Sequence, residues 1–254
     1  MSHVSYSEIK IWNECPNKHK LQYVDRIDGF KGNLHTAFGS AIHSVCEHGL
    51  LREDLDREKH FLEAFAEEIA SLEKKEVEID MSLYNQMMGQ YQPIVSSFRD
   101  DLDDYFENCE VVSTEEKLYE DIEGHDMKFK GFIDLVVKTP DGKYHILDWK
   151  TTSWGWNARR KADKIVNYQL TLYKVFWAKK HGIPLEKVET HFGLLKRTAK
   201  KDNTEIFRVT SGPTKIRNAL TFLEKAVINI KRKFVIKNRL SCRGCSFYKT
   251  QHCN

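Results

Sequence analysis

Two runs with a two-residue apolar period, Phe132-Ile133-Asp134-Leu135-Val136-Val137 and Tyr144-His145-Ile146-Leu147-Asp148-Trp149-Lys150, flank the turn-forming stretch Thr139-Pro140-Asp141-Gly142. They predict a β-hairpin. Further strands are expected at 115–122, 127–131, 191–195 and 205–209. Between them, apolar positions recur with helical spacing over 54–76 and 83–107, then at Ile165, Leu172, Val175 and Phe176, and again from Ile216 to Ile230 behind Pro213. Near the start, Ser5 or Ser7 can cap a helix carrying Ile9, Ile11 and Trp12, which Cys15-Pro16 ends. Gly39 to His43 opens another helix. Strands alternating with helices predict an α/β fold, a three-layer core with a central mixed β-sheet flanked by helices. With no internal repeat or low-complexity linker, residues 1–254 are expected to form one domain, in which about 50–110 is a helical insertion.

Charge sharpens this picture. The net charge is only +3, but residues 1–141 hold 15 basic and 30 acidic side chains and residues 142–254 hold 25 and 7. A basic half is the footprint expected of a phosphate-binding surface. No run of about 18 apolar residues suggests a membrane span, and the polar start MSHVSYSEIK is unlike a signal peptide, so a cytoplasmic location is expected.

The hairpin carries the chemistry. A turn centred on Asp141 sets Asp134 opposite Asp148, at a cross-strand spacing of about 5 Å. Asp148 and Lys150 share one face of their strand while Trp149 takes the other. Two carboxylates that close repel unless a proton or hard cation lies between them, and oxygen ligands suit Mg²⁺ or Mn²⁺. A lysine beside such a metal can hold a water and steady charge on a phosphate, which points to phosphodiester hydrolysis. A lone D-x-K is ordinarily a solvated salt bridge. That reading leaves unexplained why two acids lie among Ile133, Leu135, Ile146 and Leu147. Glu116, with Glu115 as its competitor, is expected to join from the preceding strand.

Other groups gain meaning from this site. His43 and Glu47 stand one helical turn apart, as do Gln169 and Tyr173, and each pair can present polar groups to one ligand. The Trp154-Gly155-Trp156 stretch before Arg159-Arg160-Lys161 suits base stacking and phosphate contact, or equally a capping loop with a solvated helix face. Cys242, Cys245 and Cys253 crowd the last thirteen residues; without secretion signals they argue for a metal rather than disulfides. Cys15 is the best fourth ligand, since Cys46 and Cys109 lie in apolar contexts. Four thiolates suit Zn²⁺, with His252 a further candidate, or an iron–sulfur cluster. Either would tie the N- and C-termini together.

The G-F-I-D and D-W-K motifs with their D-x13-D-x-K interval, and Q-L-T-L-Y at Gln169 to Tyr173, resemble the PD-(D/E)XK nuclease superfamily in its RecB-like exonuclease branch. The N-terminal S-x-I-x-x-W-x-x-C-P and the G-x-x-x-H ending at His43 resemble the same branch. Cys15 with Cys242, Cys245 and Cys253 resembles its iron–sulfur subset, which includes AddB-type and CRISPR-associated nuclease domains. The resemblance implies a restriction-endonuclease-like fold and a Mg²⁺- or Mn²⁺-dependent deoxyribonuclease. It implies exonuclease action on DNA ends in recombination, repair or end processing. It further implies that His43, Asp134 and Asp148 bind the metal, that Lys150 serves the attacking water, that Gln169 and Tyr173 support the site, and that the four cysteines hold a [4Fe-4S] cluster. A DNA-binding scaffold or assembly subunit is the alternative. No G-x-x-x-x-G-K-[ST] is present, so unwinding is expected to come from a helicase or recombination partner.

Overall fold

The expected hairpin is realised around a turn in which Gly142, at φ +79°, supplies the left-handed residue and its N–H donates to the Thr139 carbonyl at 2.9 Å. The structure is a computed structural model and describes residues 2–27 and 29–253. In chain order the elements are β1 (His3–Ser5), α1 (Tyr6–Glu14), α2 (Pro16–His19), a π-helical turn (Lys20–Val24), α3 (Leu34–Leu51), α4 (Arg57–Lys74), α5 (Met81–Met88), α6 (Gln92–Tyr105), β2 (Glu110–Asp121), β3 (Lys128–Lys138), β4 (Tyr144–Thr152), α7 (Ala158–Lys161), α8 (Lys164–His181), β5 (Val188–Lys196), β6 (Thr204–Arg208) and α9 (Pro213–Lys231). The strands form a mixed sheet in the order β1-β3-β4-β5-β6, with β2 also paired to β3. The β3–β4 and β5–β6 pairs are antiparallel and β4–β5 is parallel, as a helical crossover through α8 requires.

The helical stretch expected over 83–107 is broken. Pro93 has no N–H to give and cannot sit inside a helix, so α5 ends at Met88 and α6 restarts with the proline in its first turn.

The chain divides into two compact units. One comprises Met1–Lys31, Leu118–Gly131 and Gly212–Asn254; the other comprises Gly32–Lys117 and Phe132–Ser211. In the first, the Ser5 hydroxyl caps α1 by accepting from the Glu8 N–H at 3.2 Å, α9 packs on α1, and the segment after α9 returns to the end of α1. There the Asn238 amide donates to the Glu14 carbonyl at 2.8 Å and the Asn17 N–H donates to the Ile236 carbonyl at 3.1 Å.

In the second unit, Phe38 of α3, Phe61 and Phe65 of α4 and Phe98 of α6 meet Leu135, Val137, Leu147, Trp149 and Leu195 of the sheet in one core. The alternation along β3 and β4 puts these odd-numbered side chains on one face. Buried residues of α8, which packs on β4 and β5, include Leu170, Leu172, Phe176 and Trp177.

Trp149 fits because its cross-strand partner is Gly193. A Cβ there would lie 2.3 and 2.4 Å from the indole Cε3 and Cζ3. Gly193→Ala is therefore expected to cost about 2 kcal/mol of folding stability. Chemical denaturation measures this, and an unchanged midpoint would show that the indole can move aside.

Candidate active site

At the open end of the hairpin the register brings the two acids together. Leu135 pairs with Leu147, so the next pair along is Asp134 with Asp148. Asp134 Oδ2 accepts the backbone N–H of Trp149 at 2.7 Å, replacing a ladder bond with a side-chain one and fixing the carboxylate between the strands. Asp148 is only 2% exposed. Its Oδ1 accepts from the Gln169 amide at 2.8 Å, and its Oδ2 faces the Lys150 ammonium. Gln169 also donates to the Tyr173 hydroxyl at 3.3 Å, so the i, i+4 pair on α8 acts on Asp148 as a unit. His43 Nδ1 lies 3.6 Å from Asp134 Oδ2.

The electrostatics are those of a cation site. Burial, then the neighbouring Asp148 charge, push the Asp134 carboxyl well above the usual carboxylate range. Burial and the Lys150 ammonium lower His43 to about 4, so at neutral pH it is uncharged and offers a lone pair. Burial works against the Lys150 ammonium, but Asp148 and Asp134 outweigh it and raise its pKa above that of an ordinary lysine. One neutral imidazole and two carboxyl groups, held by Trp149 and Gln169, are donor types that suit a hard divalent ion, though the donor atoms of His43, Asp134 and Asp148 do not all fall within 4.8 Å of one another.

Glu116 is the one expected residue not brought here. Its Oε1 accepts from Lys180 at 2.6 Å and faces His181 Nε2 at 2.7 Å; its Oε2 accepts from Ser113 at 2.7 Å and the Trp177 indole at 2.9 Å. Burial alone would raise its pKa, yet these four contacts hold it down to about 2. Glu116 thus clamps β2 to α8. Its neighbour Glu115 has φ +45°, a left-handed conformation in mid-strand. Its carboxyl is raised by burial, then by Glu47 and Asp148. Glu115 and Glu47 are therefore within electrostatic reach of the site. The i, i+4 spacing of His43 and Glu47 signals the second; the turned backbone that selects Glu115 has no signature in the sequence.

A second polar group lies on the same strands. Donor atoms of His145, Glu189 and His191 fall within 4.8 Å of one another. The Thr139 hydroxyl donates to Asp141 at 2.5 Å, so it accepts from His145 Nε2 at 2.9 Å; His145 Nδ1 is then left to accept from His191 Nε2 at 3.1 Å. Glu189 Oε1 already faces Arg208 at 3.0 Å and Lys143 at 3.5 Å. The donor types suit a metal, while the bonding present is complete without one.

In the first unit, Cys15, Cys242, Cys245 and Cys253 line one cavity of about 290 Å³, with Lys18, Lys237 and Arg239 also on its wall. The Asn238 N–H donates to Cys15 Sγ at 3.4 Å and the Asn17 amide to Cys253 Sγ at 3.5 Å. No three of these sulfurs lie within 4.8 Å of one another.

No curated protein matches the chain. Among solved structures, a protein of Eubacterium rectale named as a candidate exonuclease superposes with a TM-score of 0.56 at 14% identity, covering 91% of this chain and 80% of its own. The structure of SSO0001 matches at a TM-score of 0.45 and 12% identity, covering 97% and 84%. The PD-(D/E)XK nuclease superfamily model matches residues 3–250, the full span of the hairpin, its acids and its lysine. The chain belongs to the PD-(D/E)XK nuclease superfamily.

Proposed function

We propose that this nuclease is a Mg²⁺- or Mn²⁺-dependent deoxyribonuclease that degrades DNA from its ends, in end processing during recombination or repair. The observation that carries the reading is the convergence of Asp134 and Asp148 on the Lys150 ammonium beside a neutral His43. His43, Asp134 and Asp148 would hold the ion, with Glu115 and Glu47 adding negative charge nearby. A bound divalent ion supplies Lewis acidity there, for the water and for the scissile phosphate. Lys150, protonated between two acids, donates to the nucleophilic water or to a phosphate oxygen and offsets the charge that grows on it. Gln169 and the Trp149 N–H keep the two carboxylates in register for this.

Incubating the protein with linear and covalently closed circular DNA in Mn²⁺ tests the reading. Loss of the linear DNA alone is expected, and EDTA should stop it. Products from the circle would make it an endonuclease, and no product from either would favour a DNA-binding scaffold. The two adjacent glutamates should separate in the same assay. Glu115→Gln is expected to slow cleavage about tenfold with the fold intact. Glu116→Gln is expected to leave the chemistry but cost about 2 kcal/mol of stability, because it removes an anion shared by Lys180, His181, Ser113 and the buried Trp177 indole.

The cavity walled by Cys15, Cys242, Cys245 and Cys253 supports a [4Fe-4S] cluster as a structural cofactor. A single Zn²⁺ bound at about 2.3 Å by four thiolates would draw the sulfurs to about 3.8 Å from one another. No three of the four sulfurs lie within 4.8 Å of one another, so a tetrahedral Zn²⁺ would have to draw them together. Lys18, Lys237 and Arg239 would offset the negative charge of either group, and N–H donors to the sulfurs stabilise thiolate ligands. Among the described residues, no helix is long and apolar enough to cross a membrane.

A further inference from the structure

The Trp154-Gly155-Trp156 loop follows closely on β4, the strand that carries Lys150 and ends at Thr152, and the structure separates its two tryptophans. Trp156 is a packing residue. Its ring lies 5.0 Å from that of Phe192 and 6.1 Å from that of Phe207, and the Arg160 guanidinium covers it at 4.7 Å from the ring centroid. Trp154 instead stands 71% exposed.

That exposure is not slackness of the loop, which is tied down on every side. The Thr152 hydroxyl donates to the Trp154 carbonyl at 2.7 Å. The Arg197 N–H donates to the Thr152 carbonyl at 2.8 Å, and the Thr198 N–H to the Ser153 carbonyl at 3.1 Å. The Arg197 guanidinium reaches the Ser153 hydroxyl at 2.9 Å. Gly155 sits so close to Glu205 that a Cβ would meet its Oε2 at 2.9 Å. A large aromatic face is therefore held in water by a rigid backbone, where it gains nothing for folding.

The surroundings say what covers it. Lys150, Thr151, Thr152, Trp154, Trp156 and Arg160 line one cavity of about 380 Å³, about the size that a nucleotide-sized ligand needs. Among the described residues Arg160 has no carboxylate partner, so its N–H donors remain for a phosphate. Aromatic face, free guanidinium and catalytic lysine in one cleft match the base, the phosphate and the scissile bond of one strand. Bases inside a duplex are stacked on one another and cannot present a face to an indole; an unpaired base can.

We propose that Trp154 is a stacking platform for an unpaired base of the DNA strand whose backbone lies at Lys150, with Arg160 on an adjacent phosphate. The proposal deepens the nuclease reading and rests on it for the identity of the strand.

The test measures binding apart from cleavage. In EDTA, an end-labelled oligothymidylate is expected to bind Trp154→Ala about tenfold more weakly than the wild type, and Trp154→Phe is expected to recover most of the loss. The same oligonucleotide made of abasic residues should bind the wild type and Trp154→Ala alike, because only a base can stack. A blunt duplex of equal length should show less than about a twofold difference. Equal oligothymidylate binding by the wild type and Trp154→Ala, an equal loss on the abasic probe, or no binding by the wild type would each overturn the proposal. If the nuclease reading fails, no DNA is cut in Mn²⁺ whatever these affinities are. If only the stacking proposal fails, DNA is cut and Trp154→Ala cuts it as well as the wild type.

Discussion

Asp148→Asn is expected to reduce metal-dependent DNA cleavage by at least about a thousandfold while leaving the protein folded, and Lys150→Ala is expected to do the same to cleavage but not to stability. The difference follows from what each side chain faces. Asparagine is nearly isosteric with aspartate, and its carbonyl oxygen can still accept from Gln169. It removes one of two buried acids that repel each other, but its amide NH2 then faces the Lys150 ammonium, so the two effects oppose and the denaturation midpoint should shift little. Lys150→Ala leaves Asp134 and Asp148 facing each other without the ammonium that opposes their repulsion. That variant should melt below the wild type without metal and regain part of the loss when Mn²⁺ is added, since a ligand bound only by the folded state stabilises it. Cleavage of an end-labelled oligonucleotide and calorimetry with and without Mn²⁺ measure both effects. Undiminished cleavage by either variant would remove these residues from the chemistry.

The hairpin was legible because its period-two alternation is strong and its turn residues are explicit, so Asp134, Asp148 and Lys150 could be related by register alone. Gln169 and Tyr173 were legible for the same local reason on a helix. What escaped the sequence depends on residues far along the chain or on the backbone itself. Glu115 and Glu116 are neighbours of identical chemistry, and their sides are set by the positive φ at Glu115 and by donors on α8 more than sixty positions away. The roles of Trp154 and Trp156 could not be told apart until Phe192 and Phe207 claimed one of them. The histidine pair of β4 and β5 reads as ordinary alternation until the parallel register brings His145 beside His191. Spacing brought the three C-terminal cysteines together on paper; Cys15 joins them because Glu14 and Asn17 bind the returning chain.

Cys242→Ser is expected to abolish a broad absorbance band near about 400 nm in anaerobically purified protein and to loosen the segment after α9, whereas Cys109→Ser should alter neither. The reasoning is one of supports. Beyond Lys231 the described chain contains a single 3₁₀ turn at Arg239–Ser241 and little buried apolar surface, and Leu240 is 95% exposed. Hydrogen bonds to Glu14, Cys15 and Asn17 and the burial of Phe247 hold it. A cluster bridging Cys15 to Cys242, Cys245 and Cys253 closes a loop of more than two hundred residues, the situation in which a covalent tie restricts the unfolded chain most. Its loss should expose the segment to limited proteolysis at low protease concentration. Cys109 is half-buried against the apolar core of the other unit, and burial raises its thiol, so it serves as a packing group. Iron and zinc analysis of the wild type decides the identity of the ion. A colourless protein carrying one zinc would replace the cluster with a tetrahedral site and require the four sulfurs to draw closer than they lie here, while an equal effect from Cys109→Ser would dissolve the assignment of all four.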